Sequence, residues 1–180
     1  TAETNPTIVV SPASTSSYSV TATTLAGCVG TSDILIYVNS LPDVSITASN
    51  ASVCLGSSVD LAASSNQTSL TYQWSTGQNT SSINVVPSQT STYSVTVTDV
   101  NGCTNTADFM VNVNPLPQVN IYATQDEVCL GMSIELLATS NIANTTFQWS
   151  TGQSCNPIIV SPVTNTIYLV TGTDPNGCTG

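Results

Sequence analysis

The chain has 180 residues, with no Lys, Arg or His against ten Asp and Glu, for a net charge of −10. This balance excludes ion pairs between side chains and gives no basic footprint for nucleic acid or for an anionic membrane surface. It also removes His, the commonest general acid–base group. No apolar run is long enough to cross a bilayer, so direct membrane insertion is not expected. A surface of Ser, Thr and Asn, without the cations that trypsin-like proteases recognise, suits an extracellular or cell-surface location. Six cysteines point the same way.

The chain copies itself without a gap at a period of 75 residues. Val53-Cys54-Leu55-Gly56 returns as Val128-Cys129-Leu130-Gly131, Tyr72-Gln73-Trp74-Ser75-Thr76-Gly77 as Phe147-Gln148-Trp149-Ser150-Thr151-Gly152, and Asn101-Gly102-Cys103 as Asn176-Gly177-Cys178. Cys28 matches Cys103 one period earlier. The period divides the chain into residues 1–42, the C-terminal half of a unit; 43–117, a complete unit; and 118–180, a unit lacking its last strand.

In chain order, Thr7–Val10 reads as a strand, Pro12–Ser16 as a turn, and Ser17–Thr23 as a half-buried strand with Tyr18, Val20 and Ala22 on one face. Ile34–Val38 is a further strand, closed by Leu41-Pro42. The complete unit opens with Val44–Ala48, then a Ser52–Ser57 loop carrying Cys54, then a strand alternating Val59, Leu61 and Ala63. Leu70–Trp74, Ser82–Val86, Thr92–Thr98 and Ala107–Val113 follow, the last with Phe109, Met110 and Val111 in sequence, which suggests burial on both sides or a bulge. Residues 118–180 repeat the plan with Val119-Asn120-Ile121, Ile134, Leu136, Ile158, Val160, Tyr168 and Val170. The chain is therefore expected to be all-β, a tandem array of seven-stranded sandwiches. Asn114-Pro115-Leu116-Pro117 and Ser40-Leu41-Pro42 join the units with little slack, so they should stack as a semi-rigid rod.

A unit of this size needs a staple. Cys54 and Cys103 lie 49 residues apart, as do Cys129 and Cys178, so two equivalent bridges within units are expected, each at one pole of its sandwich. Cys28 then looks to a partner outside the sequence, and Cys155, which has no counterpart, is a candidate for an intersubunit link. Tyr72, Trp74, Tyr93, Phe147, Trp149 and Tyr168 are assigned to the core, against the alternative that the tryptophans are carbohydrate platforms. Asp99, Asn101, Asp174 and Asn176 could offer oxygen ligands to calcium, against the simpler reading that they form turns; no other metal or cofactor is expected. No catalytic constellation is present, since the serines have no His or Lys to activate them, and the chain is read as a non-enzyme.

The strings Tyr72–Gly77 and Thr92–Cys103 resemble PKD-like and Ig-like repeats of large Bacteroidetes-type cell-surface adhesins and secreted proteins. Trp74–Gly77 is similar to a degraded Trp-Asp-Phe-Gly-Asp-Gly turn, and Tyr93–Gly102 to a Tyr-x-Val-x-Val-x-Asp-x-x-Gly strand and turn. The resemblance implies a structural segment of an extracellular fibre or giant adhesin. Its partners would be neighbouring repeats or other copies of the chain, joined by strand complementation or disulfide. The alternative is a glycan- or protein-binding module of a secreted protein, with Ser64–Ser69 and Asn141–Thr145 as contact loops.

Overall fold

The computed structural model describes residues 5–180, so the first residues of the expected 1–42 segment lie outside the described residues. The regular elements are all strands. β1 (Ser16–Thr23) and β2 (Val29–Ile36) form an antiparallel hairpin. Next come β3 (Val44–Ala48), β4 (Ser52–Cys54), β5 (Val59–Ser65), β6 (Thr71–Trp74), β7 (Ser82–Val85), β8 (Ser91–Thr98) and β9 (Thr104–Asn114). They form one sheet in the order β3-β5-β7 and another in the order β4-β9-β8-β6. The last stretch carries β10 (Val119–Ala123), β11 (Ile134–Ser140), β12 (Thr146–Trp149), β13 (Ile158–Val160) and β14 (Val170–Thr173), in sheets β10-β11-β13 and β12-β14. This is an all-β structure of multiple antiparallel sheets with Ig-like sandwich topology. β3, β5 and β6 return 75 residues later, with identical bounds, as β10, β11 and β12. By contact density the chain divides into two units that cut across the sequence period: residues 1–45, 63–81 and 94–107, and residues 46–62, 82–93 and 108–180.

Several expected elements shift. Thr7–Val10 is not a strand, and the strand expected at Ile34–Val38 begins at Val29 and stops at Ile36. The Ser52–Ser57 loop contains β4, which runs parallel to β9, pairing Ser52 with Asn112, Val53 with Val113 and Cys54 with Asn114. β3 and β4 are thus one strand path broken at Ser49–Ala51, with its halves in different sheets. β9 does not show the expected two-sided burial: it alternates, with Met110 exposed and Val111 buried.

Period-two patterning explains the packing. In the second unit, Ile134, Leu136 and Ala138 of β11 face inward with Ile158 and Val160 of β13, and Trp149 of β12 packs among them. Val119, Val128, Phe147, Tyr168 and Val170 close around this cluster half-buried. The indole nitrogen of Trp149 donates to the Cys155 carbonyl at 3.2 Å, so the ring is buried without stranding its donor. Trp74 does the same toward the Thr80 carbonyl at 2.8 Å. In β5, β7, β8 and β9 the buried residues are Val59 and Leu61, Ile83, Val95 and Val97, and Val111. The β1–β2 hairpin, a single layer, leaves Val20 and Ile34 exposed, and they line an apolar groove with Ile8, Val10, Tyr18 and Ile36.

One substitution between matching positions shows how the sheet tolerates a change. Ala63 N–H donates to the Ser81 carbonyl at 2.8 Å. One period later that backbone bond is replaced by a side chain: the Asn156 amide accepts from Ala138 N–H and donates to Ala138 C=O, both at 2.8 Å. The following bond, Asn156–Pro157, is cis, and β13 starts at Ile158. Ala138 is buried, so Asn156→Ala would leave a buried N–H and C=O unpaired, at a cost of about 1–3 kcal/mol. Urea denaturation of the oxidised protein measures this, and a midpoint equal to that of the parent would show that the amide clamp contributes nothing.

Candidate functional site

The cysteines are joined differently from the expectation. Cys54 is bonded to Cys178, 124 residues away, and Cys28, Cys103, Cys129 and Cys155 are free thiols. Neither expected bridge, Cys54–Cys103 or Cys129–Cys178, is present. The strand register gives the reason. Cys54 lies beside Asn114, the last residue of β9, whereas Cys103 immediately precedes its first residue, Thr104. A strand of eleven residues separates them, about 36 Å at 3.3 Å per residue, far beyond the reach of a disulfide. Cys178 is held by Cys54, and the neighbours of Cys129, Val128 and Leu130, border a groove at Pro162–Thr166.

The bridge lies at the joint Asn114-Pro115-Leu116-Pro117. Cys54 is level with Asn114, where Leu55 N–H donates to the Asn114 carbonyl at 2.9 Å. On the other side of the joint, Gly172 and Gly180 exchange two backbone hydrogen bonds of 3.0 Å, which set Gly180, two residues after Cys178, against the Pro117 carbonyl. Gly180 approaches that carbonyl so closely that a Cβ there would collide with it. The Cα atoms of the bridged cysteines are 5.5 Å apart, and Cys178 is buried.

The turn that presents Cys178 is built three times. Asp174 Oδ1 accepts from the N–H groups of Asn176 at 2.9 Å and Cys178 at 2.8 Å, while Asn176 Nδ2 donates to Oδ2 at 3.2 Å. Asp99 accepts from Asn101 and Cys103, both at 2.8 Å, with the Asn101 amide at 3.4 Å. In the first copy the Thr24 hydroxyl accepts from Cys28 N–H at 3.1 Å. Gly27, Gly102 and Gly177 hold φ near +80° (82, 80 and 81°), which only glycine adopts without strain. The four residues considered for calcium are therefore engaged in closing turns. Among the described residues no three metal-ligating side chains cluster. Asp60, on β5, is likewise engaged, accepting from Asn84 Nδ2 at 2.7 Å.

A second feature is an open slot of about 690 Å³, bordered by Asp126, Glu127, Val128, Leu130, Asn165 and Tyr168. The equivalent positions one period earlier are occupied. There, Asn112 N–H donates to the Ala51 carbonyl and Leu55 N–H to the Asn114 carbonyl, both at 2.9 Å, and Val113 N–H donates to Thr90 Oγ1 at 3.0 Å. The slot is the place that the end of β9 fills beside β4.

The assigned aromatic residues divide by depth. Trp74 and Trp149 are 2% exposed, while Tyr72, Tyr93, Phe147 and Tyr168 are half-buried. Cys155 is exposed, and its carbonyl holds Trp149. In the two loops named as contact surfaces, Ser69 and Asn144 occupy matching positions with φ of 58 and 59°, a left-handed conformation uncommon for non-glycine residues. Sequence reasoning missed β4, whereas the slot falls in the segment that was expected to lack its last strand.

No family model matches the chain, and no curated protein matches it. Among solved structures, it is similar to murine CEACAM1b with a TM-score of 0.39 and 18% identity, over 74% of this chain and 93% of that one. It is similar to the three N-terminal domains of the Highly Immunogenic Outer Capsid protein of bacteriophage RB49 with a TM-score of 0.39 and 20% identity, over 77% and 56% of the two chains. A 1.5-MDa bacterial ice-binding adhesin matches with a TM-score of 0.38 and 17% identity, over 91% and 70%.

The turn geometry separates a cap from a cation ligand. Asp174→Ala strands two N–H groups, one of them the buried Cys178 N–H, and should cost about 1–3 kcal/mol. Asp174→Asn keeps an acceptor and should lose less. Thermal melts with and without added calcium read both effects; a calcium-dependent rise in Tm that Asp174→Asn abolishes would overturn the cap assignment.

Proposed function

We propose that this chain is a structural repeat segment of an extracellular fibre or giant cell-surface adhesin: a semi-rigid rod of tandem Ig-like, PKD-like sandwiches on a 75-residue period. The observation that carries this reading is the Cys54–Cys178 bridge, which crosses the joint between consecutive segments. A bridge inside one sandwich would stabilise that sandwich alone. One across a Pro-rich joint limits bending there and limits how far the chain extends when a sandwich opens. Disulfides persist in oxidising surroundings, which supports an extracellular place for it. The lack of side-chain cations leaves nothing for trypsin-like proteases to cut and no His or Lys to activate a nucleophile, which supports a non-enzymatic role.

A second reading, a protein-binding module, is favoured by the slot. Its walls match those that hold the end of β9 through backbone hydrogen bonds in the preceding segment, so an extended strand with alternating Val is the partner chemistry it fits. No comparable feature favours a sugar, because both tryptophans are buried.

Pulling single molecules tests the mechanical reading. With the bridge closed, the stretch from Cys54 to Cys178, a sequence separation of 124, cannot extend; reduction should release roughly 430 Å of added contour length at about 3.5 Å per residue. Equal contour lengths in oxidised and reduced protein would remove the support for it.

A peptide of residues 104–114 tests the slot by fluorescence anisotropy. It should bind the oxidised chain, and the peptide carrying Val111→Asp and Val113→Asp should bind at least tenfold more weakly. Equal binding of both, or none by the parent peptide, counts against an insertion site.

A further inference from the structure

The Cys54–Cys178 bridge joins two local structures, and each occurs elsewhere in the chain with its cysteine free. The half at Cys54 is a turn closed by Ser57 N–H donating to the Cys54 carbonyl at 2.9 Å. Its copy has Met132 N–H donating to the Cys129 carbonyl, also at 2.9 Å. The half at Cys178 is the turn in which Asp174 N–H donates to the Cys178 carbonyl at 2.9 Å; at Asp99 and Cys103 the same bond is 3.0 Å. Cys129 is an exposed thiol and Cys103 a partly exposed one.

We propose that Cys129 and Cys103 are open halves of the same inter-segment bridge. Cys129 takes the cysteine of a Gly-Cys turn in a following segment of this type. Cys103 takes the cysteine of a Val-Cys-Leu-Gly stretch in a preceding one. The bridges then recur every 75 residues, each spanning 124, and lace every segment to the next. The inference rests on the bridge across the joint and on the matching of its halves, and not on the mechanical role.

The chemistry is thiol–disulfide exchange with an external disulfide oxidant such as oxidised glutathione. The Cys129 thiolate attacks one sulfur of the oxidant, forming a mixed disulfide and expelling one thiolate. The partner cysteine's thiolate attacks the Cys129 sulfur and expels the second. Two protons leave the protein thiols and end on the two glutathione thiols, so the oxidant gains the two electrons that the cysteines lose. The complementary half-cystine can come from a second copy of this chain or from further segments of a longer one; the chemistry is the same.

The test is disulfide mapping of the native protein isolated without reductant. Free thiols are blocked with N-ethylmaleimide, and the protein is cut with chymotrypsin and Asp-N endoproteinase, since no Lys or Arg is present for trypsin. The expected result is Cys54 joined to Cys178, and Cys129 joined to a peptide containing a Gly-Cys turn. If that peptide holds Cys28 or Cys103 and the protein runs as a dimer without reductant, the partner is a second copy; the same peptide from a monomer would overturn the proposal. If its sequence is absent from these 180 residues, it is a further segment. Cys129 carrying maleimide, Cys129 joined to Cys155, or Cys54–Cys103 paired together with Cys129–Cys178 would each overturn the proposal. The contour-length experiment can succeed with Cys129 blocked, so the two ideas fail separately.

Discussion

Alternate burial along short strands is the constraint on which the rest depends. A chain with no side-chain cation has no ion pair between side chains to orient its elements. What orients them is the choice, at every second residue, between Val, Ile, Leu or Trp and Ser, Thr or Asn. Around Trp149 this choice brings β11, β12 and β13 together on one apolar cluster. Each slip of one residue would turn that face to water, so the pattern also fixes register. The polar half is active too: Ser, Thr and Asn side chains complete backbone positions that the ladders leave open, as Thr90 does for Val113 and Ser75 for Ser94.

That polar repertoire explains why matching positions can differ in sequence and keep one geometry. The turn before Cys28 uses a Thr hydroxyl where the later two use an Asp carboxylate, and all three close with the same backbone bonds. What the position requires is an acceptor two to four residues ahead of an N–H, with a glycine free to take positive φ. Asn156 standing in for a backbone carbonyl at Ala138 is the same economy in a sheet.

The long alternating strands were legible because their signal is repeated several times within each. Ser17–Thr23, Val44–Ala48 and Thr92–Thr98 fall within a residue of β1, β3 and β8. β4 was not legible: three residues hold too few alternations to show a period, and a parallel pairing made by a chain crossing between sheets leaves no turn signature. The indole assignments turned on spacing alone, and Trp74 and Trp149 lie where an inward face puts them. The calcium reading of Asp99 and Asp174 rested on composition. Which atoms a carboxylate meets depends on the turn's φ values, which composition does not carry.

The cysteine pairing shows a limit of periodic reasoning. In an array with a 75-residue period, a bridge spanning 49 residues and one spanning 124 repeat equally well. Every position one period on is equivalent in sequence, so spacing cannot choose between them. The choice is made by polarity along a strand, because β9 carries the chain from the end where Cys103 lies to the end where Cys54 lies. Cys54 instead pairs with Cys178, beyond the four residues that connect β9 to β10. The bridge lies beside the short Pro-rich joint: Cys54 is level with Asn114, and the Cα atoms of Cys54 and Cys178 are 5.5 Å apart.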